Sequence, residues 1–462
     1  MRSATLNRIV MDSVHGVCDL DEPMRRIVDA PEFQRLRSIR QTGLAHLVYP
    51  GLEHSRFTHL IGAQSIARRV FQHLRSLALD LAASVPSQFD ESLERAFLAA
   101  ALCHDIGHTA YSHALETVLL PENVRNHEDC TLLLLQSDLN LTSRIREVCD
   151  IDQAVQFLRG DHWVDGLCKL LSGPVDVDRA DYLLRDTRAA GLVYGLHDLD
   201  WMIRSVFLWP DSTKRLRLVF DSARGLVALR HFLAARRSMY QQVYWHRTVR
   251  GAEQVLRAMF ERAITIGSGL SEGMQVAIPW GLKKLLLEGR EGKRPTVEEF
   301  LATDDVSVLT TINLWARSSD DPLLRCLSQR FLWRRLPKEV QLPKEVHWWS
   351  GDIPSDIMTT VREAARDALR RRAITDLPAL AEDQLEEALD YFVLGDQCEF
   401  KEEIELEGLL FNVGEEVPIG LSALGDRPEH EIGHGARGFR VARLYVPEEL
   451  KGAVQAALER ST

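Results

Sequence analysis

The apolar run Phe97-Leu98-Ala99-Ala100-Ala101-Leu102-Cys103 ends directly on His104-Asp105. A helix that is apolar on nearly every face belongs in the interior, so this one carries an imidazole and a carboxylate inward with it. Ile106-Gly107-His108-Thr109-Ala110-Tyr111-Ser112-His113 comes next, and Gly107 supplies freedom for the chain to bend after the helix. A lone histidine behind an apolar helix is ordinarily a satisfied core residue. Four imidazole or carboxylate groups within ten residues point instead to a metal site with chemistry attached.

A catalytic metal takes three or four protein ligands and keeps a position for water, so further ligands are expected elsewhere. Gly51-Leu52-Glu53-His54-Ser55-Arg56-Phe57-Thr58-His59 precedes an amphipathic helix with Ala63, Ile66, Ala67, Val70, Phe71 and Leu74 on its apolar face, which puts His59 near a helix start. In Val175–Asp186, helical spacing sets Asp178, Tyr182 and Asp186 along one stripe. Two carboxylates and a phenol make a poor core.

The order H…HD…D, together with Val14-His15-Gly16, the stretch Pro31–Gln41 and the stretch Arg236–Arg247, resembles the HD phosphohydrolase superfamily. Within it the likeness is to the deoxynucleoside triphosphate triphosphohydrolases typified by the animal enzyme with sterile-alpha-motif and HD domains. The resemblance implies His59, His104, Asp105 and Asp178 as metal ligands. It implies His127 and Glu128 as a pair assisting catalysis, and His108 and His113 as active-site histidines, with His113 protonating the departing 5′ oxygen. Gln41 and Asp186 would hold the sugar 3′-hydroxyl, Arg56 the α-phosphate, and Arg179, Tyr182 and Arg236 the outer phosphates. Tyr244 and His246 would lie near the sugar and phosphates, Tyr244 blocking a ribose 2′-hydroxyl. Asp29 and Arg37 match residues of the family's guanine-nucleotide activator site, where Met11 replaces an asparagine. Arg179 replaces a lysine, and Thr42 an apolar residue that packs on the base. The matching region starts almost at Met1, so no sterile-alpha-motif domain is expected before it. Taken singly, Arg56 reads equally as an ion-pair partner, Tyr182 as packing and Gln41 as a turn cap.

The chemistry expected is attack of metal-activated water at the α-phosphorus, with a histidine protonating the nucleoside 5′ oxygen, giving deoxynucleoside and inorganic triphosphate. The ligand set suits Mn, Fe, Zn or Ni, with Mg at the phosphates. The partners expected are the dNTP substrate, a nucleotide activator and further copies of the chain in a dimer or tetramer. Two alternatives stand beside this: an HD phosphohydrolase for a ribonucleotide or signalling nucleotide, and a nucleotide-sensing or nucleic-acid-binding module with little turnover.

With 67 acidic against 56 basic side chains the formal charge is −11, which argues against a dedicated nucleic-acid binder. Cations must therefore be concentrated locally to meet a triphosphate. Seven cysteines without C-x-x-C spacing read as reduced thiols, and with no signal pattern or spanning run the expected compartment is the cytoplasm.

The fold class expected is mainly α: a helical HD core over 1–335, with the HD motif region at about 50–190, and a smaller C-terminal α+β lobe over 336–462. A long helix is expected from Gly225 to Ile264 with Arg236, Tyr240 and Tyr244 on one face. The duplicated phrase Leu336–Val346, with two prolines, marks the boundary. Beyond it Glu403–Phe411 and Gly438–Val446 alternate as strands, before a helix from Pro447. Gly289–Arg294 is a polar loop rather than a phosphate loop, and Arg370-Arg371-Arg372 a solvated helix end. His430 and His434 read as surface, Trp348-Trp349 as core of the lobe.

Overall fold

The computed structural model describes residues 8–80, 89–343, 353–400, 409–414, 417–420 and 439–461. The apolar run forms helix Glu91–Cys103, started by Asp90, whose carboxylate accepts from the Leu93 N–H at 3.0 Å. Helix Arg56–Asp80 packs on it and on helix Val177–Ala190. Asp176 caps that third helix, accepting from the Arg179 N–H at 2.8 Å, and Gly191 ends it at φ 71°. Three chain segments distant in sequence thus meet around one point.

Two glycines permit that meeting by close approach. A Cβ on Gly62 would overlap the Asp181 carboxylate and the Arg185 guanidinium, and one on Gly107 would overlap the His127 carbonyl and the Thr131 amide. Gly107 does not adopt a left-handed conformation. Its role is to let helix His127–Gln136 come against the turn, rather than to bend the chain as the sequence suggested; its N–H donates to Thr131 Oγ1 at 3.0 Å.

The sheets are small. Strands β1 (Arg8–Asp12) and β2 (Gly16–Leu20) form a hairpin. β3 (Val206–Pro210) and β4 (Leu216–Asp221) pair antiparallel. β5 (Lys338–Glu339) and β6 (Leu394–Phe400) come next in the chain. β7 (Leu410–Asn412) runs parallel to β4 and pairs with β8 (Ile419–Gly420). β9 (Phe439–Val446) lies between β5 and β6, antiparallel to both, and precedes helix Glu448–Ser461. The fold is mainly α, a helical core with a smaller α+β lobe.

Packing does not divide after residue 335. One core is built from residues Cys18 to Val249 and takes Leu409 and Phe411 from the C-terminal part. A second unites the helices between 252 and 331 with Val361, Leu389, Leu444 and Val454. Helix Pro322–Leu332 ends before the prolines, at Trp333 and the left-handed Arg334, and apolar faces on both sides of residue 335 are buried against each other.

The single helix expected from Gly225 to Ile264 is three segments. Helix Ser222–Met239 passes into a π-helical turn, Tyr240–Tyr244, and helix Arg247–Ile266 starts afresh. His246 makes the break by leaving the helical conformation, and its Nδ1 accepts from the Thr248 N–H at 3.2 Å. A π turn widens the helix locally, and this one brings Tyr240 and Tyr244 onto the wall of a cavity.

Of the other expected features, residues 403–408, Gly438, His430, His434 and Trp348-Trp349 lie outside the described residues. Gly289–Glu291 is a short helical turn, and Arg370 ends helix Ser355–Arg370, pairing with Glu382 at the surface. Among the described residues no helix is long and apolar enough to cross a membrane.

Candidate metal centre and pocket

His59 projects from the first turn of helix Arg56–Asp80, His104 and Asp105 come just after the end of helix Glu91–Cys103, and Asp178 sits in the first turn of helix Val177–Ala190. One ligand atom from each of the four lies within 4.8 Å of the others. His59 Nε2 is 3.1 Å from Asp178 Oδ1, and His104 Nε2 is 3.6 Å from both Asp105 Oδ1 and Asp178 Oδ1.

Two observations test whether this set fits a cation. His59 Nε2 and His104 Nε2 are buried polar atoms without a hydrogen-bond partner, a costly arrangement unless something binds them. The electrostatics also call for positive charge where the four converge. Burial alone would depress the two imidazolium pKa values. The facing Asp178 and Asp181 carboxylates instead raise His59 to about 10, and Asp105 and Asp178 raise His104 to about 8. Both observations fit a divalent ion on two imidazoles and two carboxylates.

Behind the ligands lies a buried ionic network that the sequence reading missed. His59 Nδ1 is 2.8 Å from Asp181 Oδ2, and Asp181 Oδ1 is 2.6 Å from His15 Nε2. Arg185 donates to both Asp181 oxygens, at 2.7 and 2.9 Å, and to Asp12 at 2.8 Å. The network orients the His59 ring so that Nε2 faces the centre. Asp181 lies three residues after Asp178 and four before Arg185, a spacing visible in the sequence. Its tie to His15 and Asp12 required the hairpin to fold back.

Beside the metal set is a histidine cluster. His108 and His127 stack with centroids 3.9 Å apart, and His113 stands edge-on to both at 5.0 and 5.1 Å. Glu116, also missed in the sequence, bridges two of them: His127 Nδ1 is 2.6 Å from Oε1 and His113 Nδ1 is 3.1 Å from Oε2. Burial opposes ionisation of Glu116, but these hydrogen bonds hold its carboxyl far below the usual range. Burial, Arg56 and His127 keep His108 neutral. Tyr111 and Ser112, between His108 and His113, both adopt left-handed conformations at φ 53° and 54°. Asp305 holds that turn by accepting the Tyr111 N–H at 2.7 Å, and Ser112 Oγ donates to the Arg40 carbonyl at 3.0 Å.

A cavity of about 440 Å³ opens onto both clusters. Asp105, Asp178, His108, His113, His127 and Glu128 line it, as do Gln41, Arg56, Arg179, Tyr182, Asp186 and Tyr244. Arg56 pairs with Asp105 and donates to Ser112 Oγ at 3.0 Å. Arg179 pairs with Asp176. Asp186 is fixed by Tyr244, whose hydroxyl donates at 2.7 Å, and by His54 at 2.8 Å. His59 and His104 stand behind the lining. Arg236 is buried near the Tyr240 and Phe400 rings and His246 caps its helix, so neither lines the cavity. Asp29 ends helix Glu22–Val28 and pairs with Arg25, and Arg37 covers the Phe57 ring at 3.6 Å; neither reaches the cavity.

No protein-family model matches the chain. An uncharacterized protein of Methanocaldococcus jannaschii is 34% identical over 250 residues, covering 54% of this chain and 48% of that protein, so the match spans about half the relative's length. A putative HD domain-containing protein of Acanthamoeba polyphaga mimivirus is 24% identical over 281 residues, 56% of this chain and 59% of that one. The deoxynucleoside triphosphate triphosphohydrolase SAMHD1 of Xenopus laevis is 37% identical over 119 residues, 26% of this chain and 18% of that protein. A crystal structure of a phosphohydrolase from Bacteroides thetaiotaomicron superposes with a TM-score of 0.76 at 25% identity, over 96% of this chain and all of that one. Relatives and shared fold agree: the chain is similar to HD-domain proteins and phosphohydrolases, among them deoxynucleoside triphosphate triphosphohydrolases.

Proposed function

We propose that this protein is a metal-dependent deoxynucleoside triphosphate triphosphohydrolase, releasing deoxynucleoside and inorganic triphosphate. The observation that carries the reading is the placement of a four-ligand metal set beside a Glu116-bridged histidine cluster, both open to one cavity lined by Arg56 and Arg179. His59, His104, Asp105 and Asp178 would hold a divalent cation, which when bound supplies Lewis acidity toward a phosphoryl oxygen and lowers the pKa of water. Arg56 and Arg179 meet phosphate charge. Gln41 Oε1, a buried atom without a partner, and the Asp186 carboxylate are the acceptors available to a sugar hydroxyl. Tyr244, locked onto Asp186, narrows the space where a 2′-hydroxyl would fall. His113 is exposed enough to reach a leaving oxygen and is held by Glu116 for donating a proton there.

Chromatography of products after incubation with Mn²⁺ or Mg²⁺ and each deoxy- and ribonucleoside triphosphate tests this. Deoxynucleoside with inorganic triphosphate is the expected result, and faster turnover in nucleotide mixtures would mark an activator. Monophosphate or orthophosphate as the product would overturn it. Glu116→Gln is expected to cut turnover by roughly 10²-fold by loosening His113 and His127, with metal content unchanged. Wild-type rates in that variant would remove the histidine cluster from the mechanism.

A further inference from the structure

The cavity wall contributed by helix Arg247–Ile266 carries a charged pair that the proposed reaction does not use. Arg250 is immobilised by Asp396 of β6, donating from Nε at 3.0 Å and Nη2 at 2.5 Å, and Gln254 donates to the same carboxylate at 2.8 Å. Asp396, 5% exposed, already balances the Arg250 charge. Glu253 is therefore a carboxylate that Arg250 does not neutralise by itself, Arg257 being the other cation near it. Among the described residues it accepts one hydrogen bond, from Arg250 Nη1 to Oε2 at 2.6 Å, and it lines the cavity. Burial and the nearby Asp396 push its carboxyl up to about 7, against the pull of Arg250 and Arg257, so it is mostly ionised only above that pH, which is where the comparison of nucleotides is made.

A carboxylate on the cavity wall repels phosphate, so the triphosphate belongs with Arg56 and Arg179, and the part of the ligand beside Glu253 must offer N–H donors. Its surroundings suit a flat ring: Tyr240, Trp245 and Val249 line the same cavity, as does Thr42, whose buried Oγ1 has no partner. We infer that Glu253, fixed by Arg250, reads the nucleobase and favours bases with an exocyclic amino group (adenine, cytosine, guanine) over thymine. Thymine has one ring N–H flanked by two carbonyl oxygens, and those oxygens would face the carboxylate. This rests on the proposed function, since it takes a deoxynucleotide as the ligand.

The test is displacement of a fluorescent deoxynucleotide from the full chain by dATP, dCTP, dGTP and dTTP, in wild type, Glu253→Gln and Glu253→Ala. The wild type is expected to bind each amino-bearing nucleotide about 10-fold or more tightly than dTTP. That ratio should fall to within about 3-fold in both variants, whatever common loss of affinity accompanies it. An unchanged ratio, or no preference in the wild type, overturns the inference. Equal weakening of all four nucleotides also overturns it, because it assigns Glu253 a purely structural role. If no deoxynucleotide binds the wild type, the triphosphohydrolase reading itself fails and takes this one with it.

Discussion

Asp178→Ala is expected to lose its divalent metal by elemental analysis and to turn over nucleotide about 10³-fold more slowly, the equivalent of ~4 kcal/mol of transition-state stabilisation. Asp178 Oδ1 is the carboxylate oxygen that faces both unpartnered imidazole nitrogens, at 3.1 and 3.6 Å. Removing it halves the negative charge of the ligand set and leaves His59 and His104 opposite a void. Its side chain is 28% exposed, so the substitution empties a partly open position and should leave the fold intact. A variant with wild-type metal content and full activity would show that the metal set is misassigned. Full metal content with lost turnover would move Asp178 from ligand to another role.

Arg185→Ala should act on stability first. Its guanidinium bridges Asp12 and Asp181, whose side chains are 4% and 0% exposed. Without it two buried carboxylates lose the cation between them, a change that costs about 3–5 kcal/mol when one partner of a buried pair is removed. Calorimetry should show melting roughly 3–5 °C lower. Because Asp181 also orients His59, metal content should fall as well. Melting within about 1 °C of wild type would mean that the network is hydrated or rearranges.

Local rules in the sequence reach the placement of His59, His104, Asp105 and Asp178, whereas His127, Glu128, Gln41, Arg56, Arg179 and Tyr244 came with the family resemblance. The apolar run implied a buried helix and with it the inward placement of His104 and Asp105; His59 near a helix start and the Asp178–Tyr182–Asp186 stripe come from helical period. Glu116, three residues after His113, escaped notice because its role depends on His127 swinging into reach across another helix. Asp181 was hidden for a similar reason, its four donors coming from three segments.

Helical character and the types and order of the candidate ligands are set by the chain's local pattern alone, since these depend on periodicity and on which side chains sit where helices begin and end. Tertiary contacts decided the rest. Gly62 and Gly107 act through close approach, the π turn at Tyr240–Tyr244 re-aims two tyrosines, and apolar faces join across residue 335 despite the prolines. Arg250 meets Asp396 only because β6 is brought against helix Arg247–Ile266. Each depends on surfaces far apart in the chain being pressed together, and no local pattern of residues encodes that contact.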